Sequence, residues 1–167
     1  DGTVEAFSKG EGHGCQFVVK MPILPPALTG ESRVQPHGTS LRVLVVDDNV
    51  DAAESLSDLL SMEGYETQVA YSGEKALEHM DTFKPQVVCT DIDMPYLNGY
   101  EFIKTLRERG VMGSGCRPYM IATTGLGQPV DRKNTREAGF DEHLVKPVNE
   151  NRLLEILAFV AKGQIGR

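Results

Sequence analysis

At 167 residues with 40% hydrophobic content, the chain can bury the core of one ordinary domain and still have residues to spare. A formal charge of −7 and a pI near 5.1, with 17 Lys and Arg and no basic run, argue against a nucleic-acid or anionic-membrane surface. No apolar run approaches the roughly 18 residues needed to span a bilayer, and residues 1–20 lack the pattern of a signal peptide, so a cytoplasmic location is expected. Cys15, Cys89 and Cys116 are odd in number and have no CxxC spacing, which speaks against a disulfide framework or a zinc site.

Residues 1–24 alternate apolar and polar side chains on either side of the glycine-rich GEGHG, a hairpin signal. Residues 25–40, PPALTGESRVQPHGTS, combine three prolines with almost no apolar period and read as a linker. LRVLVV (41–46) is a continuous apolar run that suits a strand covered on both faces, and it stops at Asp47-Asp48. Over 50–63, Ala52, Ala53, Leu56, Leu59 and Leu60 recur at helical spacing, with Gly64 as the stop signal.

YETQVA (65–70) reads as a second strand, followed by a helix that Ser72 can cap and that carries Ala76, Leu77 and Met80 on one side. After Pro85, QVVCTD forms a third strand, and Asn98 with Glu101 makes a capping box for a helix with Phe102, Ile103 and Leu106. GVMGSGCRP (110–118) is a loop, PYMIAT (118–123) a fourth strand, and 129–138 a fourth helix that is polar nearly all round and expected to be mobile. FDEHLV (140–145) and a helix over 150–161 complete five strand-helix alternations. This rhythm predicts an α/β fold, a doubly wound parallel sheet of flavodoxin-like order 2-1-3-4-5 spanning residues 41–163.

In such a sheet the functional site lies beyond the carboxyl ends of the strands, where the strand order reverses. Strand one ends on Asp47 and Asp48, strand three on Asp91, strand four on Thr123-Thr124 and strand five on Lys146-Pro147. Two like charges about 4 Å apart at an effective dielectric of about 20 repel by roughly 4 kcal/mol, so three carboxylates there need compensation. Lys146 supplies one positive charge, and a hard divalent ion such as Mg²⁺ would supply two more. Carboxylates, a metal and an ammonium suit phosphoryl transfer, with a carboxylate able to act as nucleophile and form an acyl phosphate. Taken singly, each residue also has an ordinary role: Asp47-Asp48 as a helix cap, Thr124 as a strand-end hydroxyl, Lys146-Pro147 as a turn.

LRVLVVDDN, TDIDMPYLNG, IATTG and HLVKP together resemble the receiver domain of two-component response regulators. The resemblance implies that Asp91 accepts a phosphoryl group from phosphohistidine. It further implies that Asp48 ligates Mg²⁺ directly and Asp47 chiefly through water, with the main-chain carbonyl of Asp93 as another ligand. Lys146 would pair with the phosphoryl oxygens, Thr124 would swing in to hydrogen-bond them, and Pro147 would follow a cis peptide bond. Leu126 and Asp93 would flank the phosphate and tune its lifetime. The switch position before the lysine is usually Tyr or Phe in this family and here is His143, which suggests a switch sensitive to pH.

Asp91-Ile92-Asp93 also matches the nucleophile and acid pair of haloacid-dehalogenase-type phosphatases, where Asp93 would be the general acid; a receiver-like domain that is never phosphorylated is a third reading. DGTVEAFSKGEGHGCQFVVKMPI resembles the last hairpin of a histidine-kinase ATPase domain without that family's ATP-binding boxes, so no nucleotide binding is expected. Kinase tail, linker and receiver, in that order, resemble the C-terminal piece of a hybrid sensor histidine kinase. The partner implied is a kinase dimerisation domain or a histidine-phosphotransfer protein, without nucleic-acid or membrane contact by this piece. A membrane anchor would belong to the full-length parent, as would the kinase activity; the piece itself is a phosphoacceptor that assists its own phosphorylation and dephosphorylation.

Overall fold

A computed structural model describes residues 2–10, 12, 14–21, 41–113, 117–125 and 132–163, and for residues 132 and 133 the backbone alone. The predicted linker therefore lies outside the described residues. Two compact units are present, 1–34 and 35–167. In the first, β1 (Thr3–Ser8) and β2 (Cys15–Lys20) pair antiparallel from Thr3↔Lys20 to Ser8↔Cys15, the hairpin expected from the alternation. Period-two geometry puts Val4 opposite Val19 and Ala6 opposite Phe17 on one face, while Glu5 and Lys20 pair at 3.3 Å on the other. Val4 and Phe17 are 69% and 67% exposed.

The second unit alternates β3 (Arg42–Val46), α1 (Val50–Met62), β4 (Glu66–Ala70), α2 (Gly73–Thr82), β5 (Val87–Asp91), α3 (Gly99–Glu108), β6 (Tyr119–Thr124), α4 (Arg132–Ala138), β7 (Glu142–Val145) and α5 (Glu150–Ala161). The five strands are parallel in the order β4-β3-β5-β6-β7, which counted from β3 is the expected 2-1-3-4-5. Successive strand residues feed opposite layers. Leu44, Val46, Val88, Met120 and Ala122 pack with Ala76, Leu77, Phe102, Ile103 and Leu106 of α2 and α3. Val43, Val45, Val87, Cys89 and Ile121 pack with Ala53 and Leu60 of α1 and with Leu153, Ile156 and Leu157 of α5. Covering on both faces explains why β3 and β5 read as unbroken apolar runs.

Some local expectations hold and others shift. The capping box of α3 is present, with the Asn98 side chain accepting from the Tyr100 and Glu101 amides and Glu101 accepting from the Asn98 amide. Gly64 sits at φ +91 just past α1, where a residue with a β-carbon would be strained. Ala52, read as part of the buried stripe of α1, is exposed, because that stripe narrows to Ala53 and Leu60 with Leu56 and Leu59 half-buried. Thr135 of α4 is buried and Ala138 packs on the α2–α3 layer, so α4 contributes more to the core than its polar sequence suggests. The expected helical start at 129–131 lies outside the described residues.

Burial also separates two cysteines chemically. Cys89 is buried in β5 and its thiol is pushed up to about 12 by desolvation, whereas Cys15 is exposed. Iodoacetamide at pH 8 is expected to label Cys15 in the native protein and Cys89 only after unfolding, read by peptide mass mapping; rapid native labelling of Cys89 would contradict its placement.

Candidate functional site

The end of β3 and its neighbours deliver the acids to one rim. Val46 is the last residue of β3, and the Asp47 amide still donates to the Ala70 carbonyl at 3.1 Å, so Asp47 is held by the sheet although its own side chain lies just beyond it. Asn49, not Asp48, caps α1, accepting from the Ala52 amide at 3.1 Å. The ordinary explanation for the acid pair therefore fails, and the Asp48 carboxylate is left exposed beside the site. On β5, Asp91 aligns with Thr123 of β6, and the Ile92 amide donates to the Thr123 carbonyl at 3.0 Å.

One oxygen from each of Asp47, Asp48 and Asp91 lies within 4.8 Å of the others, and Asp47 and Asp91 are each only 6% exposed. Lys146 Nζ stands 2.6 Å from Asp47 Oδ2 and 2.6 Å from Asp91 Oδ2. Burial works against its charge, but the hydrogen bonds to Asp47 and Asp91 and their negative charge outweigh it and hold the ammonium above its ordinary pKa. Main-chain donors assist: the Asn49 amide donates to Asp47 Oδ1 at 3.0 Å, and the Asp93 amide to Asp91 Oδ1 at 3.2 Å. Three carboxylates against one ammonium leave a surplus of two negative charges in an all-oxygen donor set, which fits a hard divalent cation.

The loop after Asp91 is tightly built. Ile92 and Met94 are buried while Asp93, Pro95 and Tyr96 are exposed, and the Gly99 amide donates back to the Ile92 carbonyl at 3.0 Å. A β-carbon on Gly99 would stand 2.7 Å from the Asp91 carbonyl oxygen and 3.0 Å from Ile92 Cα, both backbone atoms that cannot yield cheaply. Gly99→Ala is therefore expected to lower stability by about 1–3 kcal/mol, the ordinary cost of overpacking, in urea unfolding. An unchanged midpoint would contradict this close approach.

Asp47, Asp48, Asp91 and Lys146 converge. Asp93 turns its side chain to solvent and contributes its amide. Thr124, 1% exposed, and His143 form a second pair, with Thr124 Oγ1 2.8 Å from His143 Nε2. No hydrogen bond joins the Thr124 side chain to the three carboxylates among the described residues. Lys146-Pro147 is cis, as expected, and the Lys146 amide donates to the Thr124 carbonyl at 2.7 Å. Leu126 lies outside the described residues. Two contributors were missed in the sequence, Asn49 and Gly99. Asn49 carried a usable signal, an amide side chain three residues before a helical Ala52; Gly99 carried none, since its constraint is the nearby backbone of β5.

Among the described residues no helix is long and apolar enough to cross a membrane. Residues 43–158 match the response regulator receiver domain family. The chain is 35% identical over 114 residues to a transcriptional regulatory protein CpxR homolog of Haemophilus influenzae, covering 68% of this chain and 47% of that protein. It is 34% identical over 113 residues to CpxR of Escherichia coli K12, covering 68% and 46%. It thus spans about half the length of the curated relatives it matches. Among solved structures, the receiver domain of Francisella response regulator 1452 superposes with a TM-score of 0.66 at 26% identity, covering 75% of this chain and 99% of that one. Vibrio cholerae CheY4 superposes at 0.64 with 30% identity, covering 73% and 99%. With the acid cluster and lysine at the carboxyl end of a 2-1-3-4-5 sheet, this match decides against the phosphatase reading: the chain belongs to the response regulator receiver domain family, the phosphoacceptor modules of two-component signalling.

Proposed function

We propose that Asp91 takes a phosphoryl group from a phosphohistidine in a two-component phosphorelay. The observation that carries the reading is the Asp91 carboxylate, 6% exposed at the sheet end, 2.6 Å from Lys146 and grouped with Asp47 and Asp48. An Asp91 oxygen attacks phosphorus in line with the departing imidazole nitrogen. The P–O bond forms as the P–N bond breaks, and the imidazole keeps the electron pair. Lys146 exchanges part of its hold on Asp91 for the phosphoryl oxygens, and the Thr124 hydroxyl donates to one of them. Asp48 and Asp91, with Asp47 and the main-chain carbonyl of Asp93, would hold Mg²⁺, which supplies charge neutralisation at the phosphoryl oxygens when bound. Thr124 and His143 form the switch that biases the face containing α4, β7 and α5 between two states.

The donor is a kinase dimerisation domain or a histidine-phosphotransfer protein, and the parent is a hybrid sensor histidine kinase. What supports that parent is the separate N-terminal hairpin, whose sequence resembles the end of a kinase ATPase domain. Incubation with phosphoramidate and Mg²⁺ tests the site: intact mass is expected to rise by one phosphoryl group, removable with hydroxylamine. No added mass would overturn the reading.

A further inference from the structure

Thr124 is a buried hydroxyl that shares a 2.8 Å side-chain hydrogen bond with His143 Nε2, its direction set by the imidazole tautomer. The two residues come from adjacent strands, β6 and β7, and are offset by two positions, since His143 aligns with Ala122 and Thr124 with Val145. If Thr124 is to donate to a phosphoryl group on Asp91, its single O–H cannot at the same time donate to an imidazole nitrogen. An aromatic hydrocarbon ring at position 143 would set no such competition.

We propose that His143 is a positioning residue that latches the Thr124 hydroxyl in the unphosphorylated state, so that phosphorylation proceeds by exchange of His143 Nε2 for a phosphoryl oxygen. The inference rests on the reading of Asp91 as phosphoacceptor and Thr124 as a phosphoryl ligand. The latch assigns His143 the tautomer protonated on Nδ1, in which Nε2 accepts the Thr124 hydrogen and gives it up on phosphorylation, and the imidazole is then released toward the open groove of about 750 Å³ that it lines with Phe140, Glu142 and Arg152. Loss of the latch leaves the Thr124 hydroxyl unsatisfied in the unphosphorylated protein alone, because the phosphoryl oxygen satisfies it afterwards. Removing the imidazole therefore shifts the equilibrium toward the phosphorylated conformation.

The test is the affinity of the whole chain for beryllofluoride with Mg²⁺, a phosphoryl mimic, read by titration calorimetry. His143→Phe, which keeps a planar ring and removes its nitrogens, is expected to bind roughly two- to tenfold more tightly, the range one neutral hydrogen bond is worth. His143→Gln, which retains a polar atom at a similar reach, is expected to bind like wild type. In a Thr124→Val background, His143→Phe is expected to have no further effect, because the latch acts through the hydroxyl. Equal or weaker binding by His143→Phe, or the same gain in the Thr124→Val background, would overturn the latch. If wild type binds the mimic normally while His143→Phe is unchanged, the latch alone fails; if wild type does not bind it at all, the site reading fails and takes the latch with it.

Discussion

Asp91→Asn is expected to take up no phosphoryl group from phosphoramidate under conditions that load the wild type to completion. The substitution keeps the size of the side chain and one oxygen to accept from the Asp93 amide, so the loop that ends at Gly99 has no reason to move, while the carboxamide nitrogen in the place of Oδ2 cannot accept from Lys146. What it removes is the anionic oxygen proposed as the nucleophile: a carboxamide oxygen does not displace an amine from phosphorus, and no neighbouring carboxylate is equivalent. Asp47 is tied to Lys146 and to the Asn49 amide, and Asp48 is exposed outside the ion pair. A cooperative unfolding transition for Asp91→Asn would show that the loss is chemical; residual phosphorylation at the wild-type rate would contradict the assignment.

Lys146→Met is expected to produce the largest change in stability, about 3 kcal/mol in the presence of EDTA, as for breaking a buried ion pair by removing one partner. The lower end of that class applies because Lys146 itself is 27% exposed and solvent screens part of its charge. Asp47 and Asp91 would then face one another and Asp48 without a cation. Millimolar Mg²⁺ should restore most of the loss, since any ion that binds the folded state alone stabilises it by mass action. Urea unfolding with EDTA and with Mg²⁺ measures both. The sign with pH follows from the ammonium lying above its ordinary value: the difference between wild type and Lys146→Met should persist from neutral pH to about 10.4 and fade only as pH rises through the higher folded value. Equal stability in EDTA would contradict the role given to Lys146.

The fold was legible wherever a signal was local and periodic. Leu44 and Val46 alternate with Val43 and Val45 between two helical layers, so β3 had to be an unbroken apolar run, and its end at Asp47 marked the rim without ambiguity. The capping box of Asn98 and Glu101 was legible for the same reason, as both partners lie within one helical turn. Less legible were features that depend on which backbone lies alongside. Ala52 and Ala53 are equivalent in composition, and only the position of α1 over the sheet decides that Ala53 is buried and Ala52 is not. Arg117 and Asp141 form a two-pronged ion pair at the amino ends of β6 and β7, with Asp141 Oδ2 also accepting from the Met120 amide, across 24 residues of sequence. The bond between Thr124 and His143 belongs to this group. Both residues were singled out from the sequence, but their contact depends on the register of β6 against β7.

In the proposed relay the phosphoryl group goes to Asp91 and to no other carboxylate of the cluster. Borohydride reduction of the phosphorylated protein, followed by peptide mass mapping, tests it directly, because an aspartyl phosphate is reduced to homoserine while a free carboxylate is untouched. Conversion is expected at Asp91 alone, dependent on Mg²⁺. Conversion at Asp47, Asp48 or Asp93, or recovery of an unmodified Asp91 from protein that carries the added phosphoryl mass, would contradict it.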